Sequence, residues 1–238
     1  MLFGIDEGNT SIKVVGYSNK SGRIINKIQK FSSPESFADE FPHHSDDEFL
    51  LCSTQAKSNS VVQFIQKKIR FNVDHIKSLP FSSRYTSRLG ADRIAGVFGA
   101  LREFTPPFLM ISMGTCLTYN LVNSQKFFLG GAISPGLLIR LRSMHQFTGK
   151  LPPTPFDSIS QIPDPLDTKK AMLNGTLEGI LFELKGRITK HQKEHQGLQI
   201  ILTGGDAHYF EKLMEMKIFV RPQLNFDGLY SLYKHVSL

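Results

Sequence analysis

The feature that most restricts the fold is an order of elements that occurs twice. Apolar runs at Leu2 to Ile5, Ile12 to Tyr17 and Ile24 to Ile28 are separated by polar turns at Asp6 to Thr10 and Asn19 to Gly22, the pattern of an antiparallel meander. From Phe108 the pattern restarts: FLMISM to Met113, a Gly114-Thr115 turn, CLTYNLV from Cys116 to Val122, then Lys126 to Ile133. Strand and helix signals follow each meander. In the first half these are a helix over Pro34 to Phe41 capped by Ser33, a strand over Glu48 to Ser53, helical spacing over Val61 to Ile69, and a helix over Arg93 to Phe104 closed by Pro106 and Pro107. In the second half, Pro135 and Gly136 open a helix to about Thr148, and the Pro-rich stretch Leu151 to Pro165 reads as a loop. A long helix runs from Asp167 or Thr168 to His195. Strands at Gln199 to Thr203 and Ile218 to Val220 flank a helix over Tyr209 to Met216, and a last helix starts at Asp227. The repetition predicts an α/β chain of two similar lobes, 1–107 and 108–238, with little residue identity between them.

A chain of 238 residues with 40% hydrophobic and 21% charged residues has material for two such cores. Cys52 and Cys116 lie in apolar runs and are too few for a disulfide framework or a zinc site, which predicts a reducing, cytoplasmic setting. Asp6 and Glu7 interrupt any leader-like apolar stretch, and no run approaches the roughly 18 apolar residues of a membrane span. Lys and Arg exceed Asp and Glu by 28 to 21, but the basic residues are scattered (Lys67, Lys68, Arg70; Arg140, Arg142; Lys190, Lys193) with no aromatic-laced stripe. That distribution argues against nucleic acid and leaves a phosphate-bearing ligand open. His43, His44, His145 and His235 form no metal-ligand spacing.

Five short motifs carry candidate chemistry. Asp6-Glu7-Gly8-Asn9-Thr10 joins two strands; its backbone N–H groups and the Asn9 and Thr10 side chains suit phosphate oxygens, and Asp6 suits hydrated Mg2+. An ordinary hairpin turn is the other reading, and the stretch is neither a P-loop nor a G-x-G-x-x-G. Ser112 to Thr118 occupies the same place in the second half, and two facing turns would suit a triphosphate gripped from both sides. Thr203-Gly204-Gly205-Asp206-Ala207 joins strand to helix, either as a plain turn capped by Asp206 or as backbone close to an adenosine. Leu89-Gly90-Ala91-Asp92-Arg93 opens a helix. There Asp92 is either a cap or the acceptor of a substrate hydroxyl proton, and Arg93 either a surface ion or a carboxylate clamp. In Gly130 to Gly136 the glycines and proline either end a strand or line a site.

In this order DEGNT, LGADR, SMGTCLT, GGAISPG, Thr168 followed by Asn174-Gly175, and TGGDA resemble the motifs of type III pantothenate kinases over nearly the whole chain. The resemblance implies the actin-like ATPase and sugar kinase fold, two ribonuclease-H-like lobes around an ATP cleft, and a homodimer. It also implies ATP-dependent phosphorylation of pantothenate, the first committed step of coenzyme A synthesis. By position, Asp6, Glu7, Gly8, Asn9, Thr10, Ser11, Ile12 and Lys13 match the ATP phosphate loop, with Asp6 toward Mg2+ through water, and Thr115 matches a second ATP contact. Gly90, Ala91, Asp92 and Arg93 match the pantothenate site with Asp92 as proton acceptor, and Thr168 matches a threonine supplied across the dimer. Tyr85 matches the pocket tyrosine, two residues nearer the G-x-D-R motif than is usual.

Ser112 stands where the family usually has the Asp that helps hold K+ or NH4+, and Asn120 stands where an acidic residue is common. A neutral oxygen gives a monovalent cation less to hold, so weak or absent K+ dependence is expected. A non-catalytic nucleotide-binding relative and a basic nucleic-acid-binding module are the rival readings. The first predicts loss of Asp6, Asp92, Arg93, Thr115 or Thr168, all of which are present. The second predicts steeply salt-dependent DNA binding.

Overall fold

The computed structural model describes residues 1–238 except 19, 43, 45, 56–59, 66–67, 77–78, 86–88, 157–160 and 237–238. Expectations at Asn19, His43, Lys67 and the ends of the polar stretch 78–87 therefore lie outside the described residues. The chain forms two compact units, residues 1–104 with 223–238 and residues 105–222.

In the first unit β1 (Leu2–Glu7), β2 (Ile12–Tyr17) and β3 (Gln29–Phe31) are antiparallel, and β4 (Glu48–Ser53) and β5 (Ile69–Asn72) add in parallel, in the order β3-β2-β1-β4-β5. The expected strand over Ile24 to Ile28 is reduced to one bridge, Tyr17 with Ile24. Asn26 Oδ1 accepts from Gly16 N at 2.6 Å, which diverts the return before the ladder resumes at Gln29. Helix α1 (Pro34–Glu40) starts at Ser33, whose hydroxyl accepts from Ser36 N while Ser36 Oγ accepts from Ser33 N. Phe3, Phe31, Phe37, Phe41 and Phe49 pack as an aromatic cluster between α1 and the sheet. Of the helix expected over Val61 to Ile69, the described residues show α2 (Val62–Ile65), and Ile69 begins β5. The edge strand β5, half-buried and weakly patterned, was hidden in that spacing.

Helix α3 (Ala91–Glu103) and helix α7 (Leu224–Val236) cover the other face. They approach backbone to backbone: a Cβ on Gly228 would lie 1.9 Å from Ala95 O, and one on Gly99 would lie 2.7 Å from Leu224 O. Tyr17 Oη donates to Phe226 O at 2.8 Å, tying α7 to β2. The last helix thus belongs to the first unit, a departure from the expected 1–107 and 108–238 division. Its buried Leu224, Phe226, Leu229 and Leu232 complete a face that α3 alone leaves open.

The second unit repeats the topology. β6 (Phe108–Met113), β7 (Cys116–Val122) and β8 (Phe128–Gly130) form the meander, and β10 (Gln199–Thr203) and β11 (Phe219–Val220) add in parallel, so the order β11-β10-β6-β7-β8 mirrors the first sheet. β9 (Ile133–Pro135) pairs with the start of β7. Helices α4 (Leu137–Gln146), α5 (Thr168–Glu194) and α6 (Ala207–Glu211) complete the unit, with Leu177, Ile180, Leu184 and Ile188 of α5 buried. Asp167 caps α5 through Lys170 N at 2.9 Å.

Candidate active site

Strand pleating sends Asp6 and Glu7 to opposite faces. Glu7 joins Phe3 and Ile5 on the aromatic side, 1% exposed, where its carboxylate accepts from Ser53 Oγ at 2.6 Å, Ser60 Oγ at 2.5 Å and Val61 N at 2.7 Å. Gln55, between those serines, donates to Gly8 O at 3.1 Å and Asn9 Oδ1 at 3.2 Å. The turn itself is closed by Gly8 N to Ser11 O at 3.1 Å. It borders a cavity of about 190 Å³ whose other walls are Ser32 to Glu35 and Gln55. Asn9 and Thr10 are exposed there, and Lys13 is the cross-strand partner of Asp6. The neutral polar groups of Asn9, Thr10 and Ser11 suit phosphate oxygens; Lys13, on the Asp6 face, is not among the lining residues. Glu7 sits in the expected loop, but its side chain is spent on holding that loop.

On the opposite face, burial pushes the Asp6 carboxyl up. Lys13 opposes this, the Asp92 carboxylate adds to it, and a hydrogen bond from Asn225 of α7 eases it. Asp92 occupies the first turn of α3, with Gly90 as the residue before the helix. Burial raises its carboxyl as well, against the pull of the Arg93 backbone N–H, the Arg93 guanidinium and its own N–H. A Cβ at Gly90 would come 2.8 Å from Asp92 Oδ1, so glycine leaves room for that carboxylate. Arg93 is 5% exposed; its guanidinium lies 5.3 Å from the Tyr85 ring centre, and Nη1 donates to Tyr85 Oη at 3.4 Å. The structure therefore brings together Asp6, Lys13, Asp92, Arg93 and Tyr85 in one unit. Cys52 neighbours this group, and burial, Asp6 and Asp92 hold its thiol protonated and unreactive.

Asn225 was not legible as a site residue, because a lone Asn at a helix start has only a capping signature. Its Oδ1 is buried with no hydrogen-bond partner among the described residues. A buried acceptor beside a partly exposed carboxylate fits a hydrated Mg2+, whose waters donate.

In the second unit three motifs meet at the Gly114-Thr115 turn. Gly136 N donates to Thr115 O at 3.1 Å, and Asp206 N donates to Met113 O at 3.1 Å. Cβ atoms on Gly136 and Gly204 would stand 2.1 Å from Gly114 O and 2.3 Å from Met113 O, and Gly204 adopts φ +93°. Only glycine permits that approach. Asp206 precedes α6, but its side chain makes no capping bond. Ser112 pairs in register with Thr118 on β7 and Thr203 on β10. Asn120 is fully buried, its amide donating to Met110 O and Thr118 O at 3.3 Å. Thr168 is exposed at the first position of α5.

The profile described as "Type III pantothenate kinase" matches residues 2–190. Proteins named type III pantothenate kinase from Christiangramia forsetii and Bacteroides fragilis are each 34% identical, the alignments covering 94% of this chain and 94% of theirs. Another from Flavobacterium johnsoniae is 30% identical over 99% of this chain and 98% of its own. Among solved structures, a Baf family protein from Campylobacter jejuni aligns with TM-score 0.67 at 18% identity, covering 99% of this chain and 98% of that one. The activator of 2-hydroxyisocaproyl-CoA dehydratase from Clostridium difficile, solved with bound ADPNP, aligns with TM-score 0.52 at 10% identity over 99% and 96%. The fold is that of the actin-like ATPases and sugar kinases. Matched over residues 2–190 by that profile and over nearly their full length by these relatives, the chain belongs to the type III pantothenate kinase family.

Proposed function

We propose that this protein transfers the γ-phosphoryl group of ATP to the primary alcohol of pantothenate, giving 4′-phosphopantothenate, the first step of coenzyme A synthesis. The observation that carries the reading is the half-buried Asp6 and Asp92, near enough for the Asp92 charge to raise the Asp6 carboxyl, with Arg93 braced on Tyr85 beside them. In this reading Asp92 Oδ accepts the hydroxyl proton, and its raised pKa makes it a better base than a free carboxylate. Arg93 takes the pantothenate carboxylate through its planar fork, Tyr85 holds that fork in place, and Gly90 and Ala91 line the approach. Gly8 to Ser11, with Ile12 N–H and the Lys13 ammonium, bind phosphate oxygens, and Thr115 supplies a second nucleotide contact. Asp6 and Asn225 would hold Mg2+ through water; the ion supplies charge neutralisation at the phosphates. The rest is positioning.

Thr168 serves the site of a second copy in this reading, which requires a homodimer. Exposed Ile133, Phe147, Leu166 and Phe182, all on the second unit, support such an interface. Ser112 offers only a neutral oxygen among Thr118 and Thr203, so turnover without added K+ or NH4+ is expected. Two free cysteines suit the cytoplasm, and among the described residues no helix is long and apolar enough to cross a membrane. A coupled assay with ATP and pantothenate, with and without K+, tests both points. No product under either condition would remove the kinase reading, and a strict K+ requirement would remove the cation reading alone.

A further inference from the structure

The end of α5 carries a constellation that the kinase reaction does not use. Its last turn reads His191-Gln192-Lys193-Glu194-His195, and positions i, i+3 and i+4 of a helix share one side. One ligand atom from each of His191, Glu194 and His195 lies within 4.8 Å of the other two. His195 is the C-cap, its N–H bonded to His191 O at 2.9 Å, and its ring centre lies 6.4 Å from that of His191. The His191 side chain is 17% exposed; its Nδ1 is buried without a hydrogen-bond partner among the described residues, and a Glu194 carboxylate oxygen stands 3.4 Å away.

We propose that His191, Glu194 and His195 form a binding site for a divalent transition metal of the Zn2+ class. Two imidazole nitrogens and one carboxylate oxygen, with water in the fourth position, make a complete tetrahedral set. Hard cations such as Mg2+ and Ca2+ prefer all-oxygen shells and would be poor occupants. One further observation favours a cation here. The unpaired carbonyls of a helix C-terminus give that end negative character. Glu194 is itself within ligand reach, so no hydrolytic role as a base is assigned to it. A bound ion would link the last turn of α5 to the residue beyond it and raise the stability of the second unit by mass action.

The experiment uses untagged, metal-stripped full-length protein, titrated with Zn2+ and, as a spectroscopic probe, Co2+. Expected are one ion per chain, visible Co2+ bands of a four- or five-coordinate nitrogen-containing site, and a higher Tm with Zn2+. His195→Ala and Glu194→Ala, both at exposed or half-exposed positions, should each weaken binding by about tenfold or more. Kinase turnover with Mg-ATP should be unchanged in both, since neither residue belongs to the catalytic machinery. Undiminished binding in either variant, or no saturation by about 1 mM Zn2+ in the parent, overturns the proposal.

Discussion

Asp92 is costly to the fold in the form the reaction needs. Its pKa is raised above that of an unfolded aspartate, so folding binds its proton more tightly. The stabilisation this gives is complete below the unfolded pKa and is lost as pH rises through the folded one. At neutral pH the ionised carboxylate therefore burdens the protein. Asp92→Asn should cut turnover about a hundredfold or more while leaving Tm equal or higher, a split read from the coupled assay and from thermal unfolding. The same direction of shift places the acid limb of the kcat/KM profile of the parent above the usual carboxylate range, with activity falling as pH drops. A limb at ordinary carboxylate pH would exclude Asp92 as the titrating base.

Glu7 makes the opposite case. Glu7→Ala strands Val61 N–H and two serine hydroxyls, costing about 1–3 kcal/mol in denaturant unfolding. Because Gln55 hangs between those serines and steadies Gly8 and Asn9, the KM for ATP should rise more than that for pantothenate. Glu7→Gln, which keeps an acceptor for Val61 N–H and can donate to the serine oxygens, should recover most of both. Equal KM effects on the two substrates would make Glu7 a fold residue alone.

At the scale of elements, the helix pair α3 and α7 positions Asp92, Arg93 and Asn225 together, and Gly99 and Gly228 set its spacing. Gly228→Ala forces a methyl against Ala95 O and should destabilise the first unit by about 1–3 kcal/mol, with activity lost alongside. Gly186 in α5 has nothing within 4 Å of its Cβ direction. Gly186→Ala should therefore stabilise by about 0.5–1 kcal/mol. Equal Tm shifts for the two variants would refute the packing argument.

The strands β4, β6 and β10 were readable from the chain because each is a largely apolar run buried on both faces, and β7 because it follows β6 across the Gly114-Thr115 turn. Asp92 and Arg93 were singled out by the LGADR motif, where a helix cap and a surface ion were the other readings; the structure buries Arg93 against Tyr85 instead of leaving it on the surface. β5 and the return of α7 were not readable. An edge strand shows little pattern, and no local signal in Leu224 to Val236 states which sheet will receive its apolar face. Asn225 and the Ser53–Ser60 brace of Glu7 were hidden for the same reason, since their meaning lies in partners 46 to 219 positions away.

Across the whole molecule, two units share one strand order while dividing the chemistry. The first holds Asp6 and Asp92, and the second holds the glycine-lined turn at Thr115; exposed apolar side chains occur on both, among them Ile133, Phe147, Leu166 and Phe182 on the second. Phe182 is 68% exposed in the middle of α5. Phe182→Glu should convert a dimer to monomers by light scattering, and turnover should fall with it if Thr168 acts in a second copy. A monomeric parent protein would refute the interface.

The return of residues 223–238 also sets an order of assembly on the ribosome. The segment 105–222 is continuous in the chain, whereas the sheet of the first unit, covered on that side by α3 alone, keeps part of its face open until residues 224–236 have been made. During that interval the uncovered part of that apolar face is the surface a holding chaperone would meet.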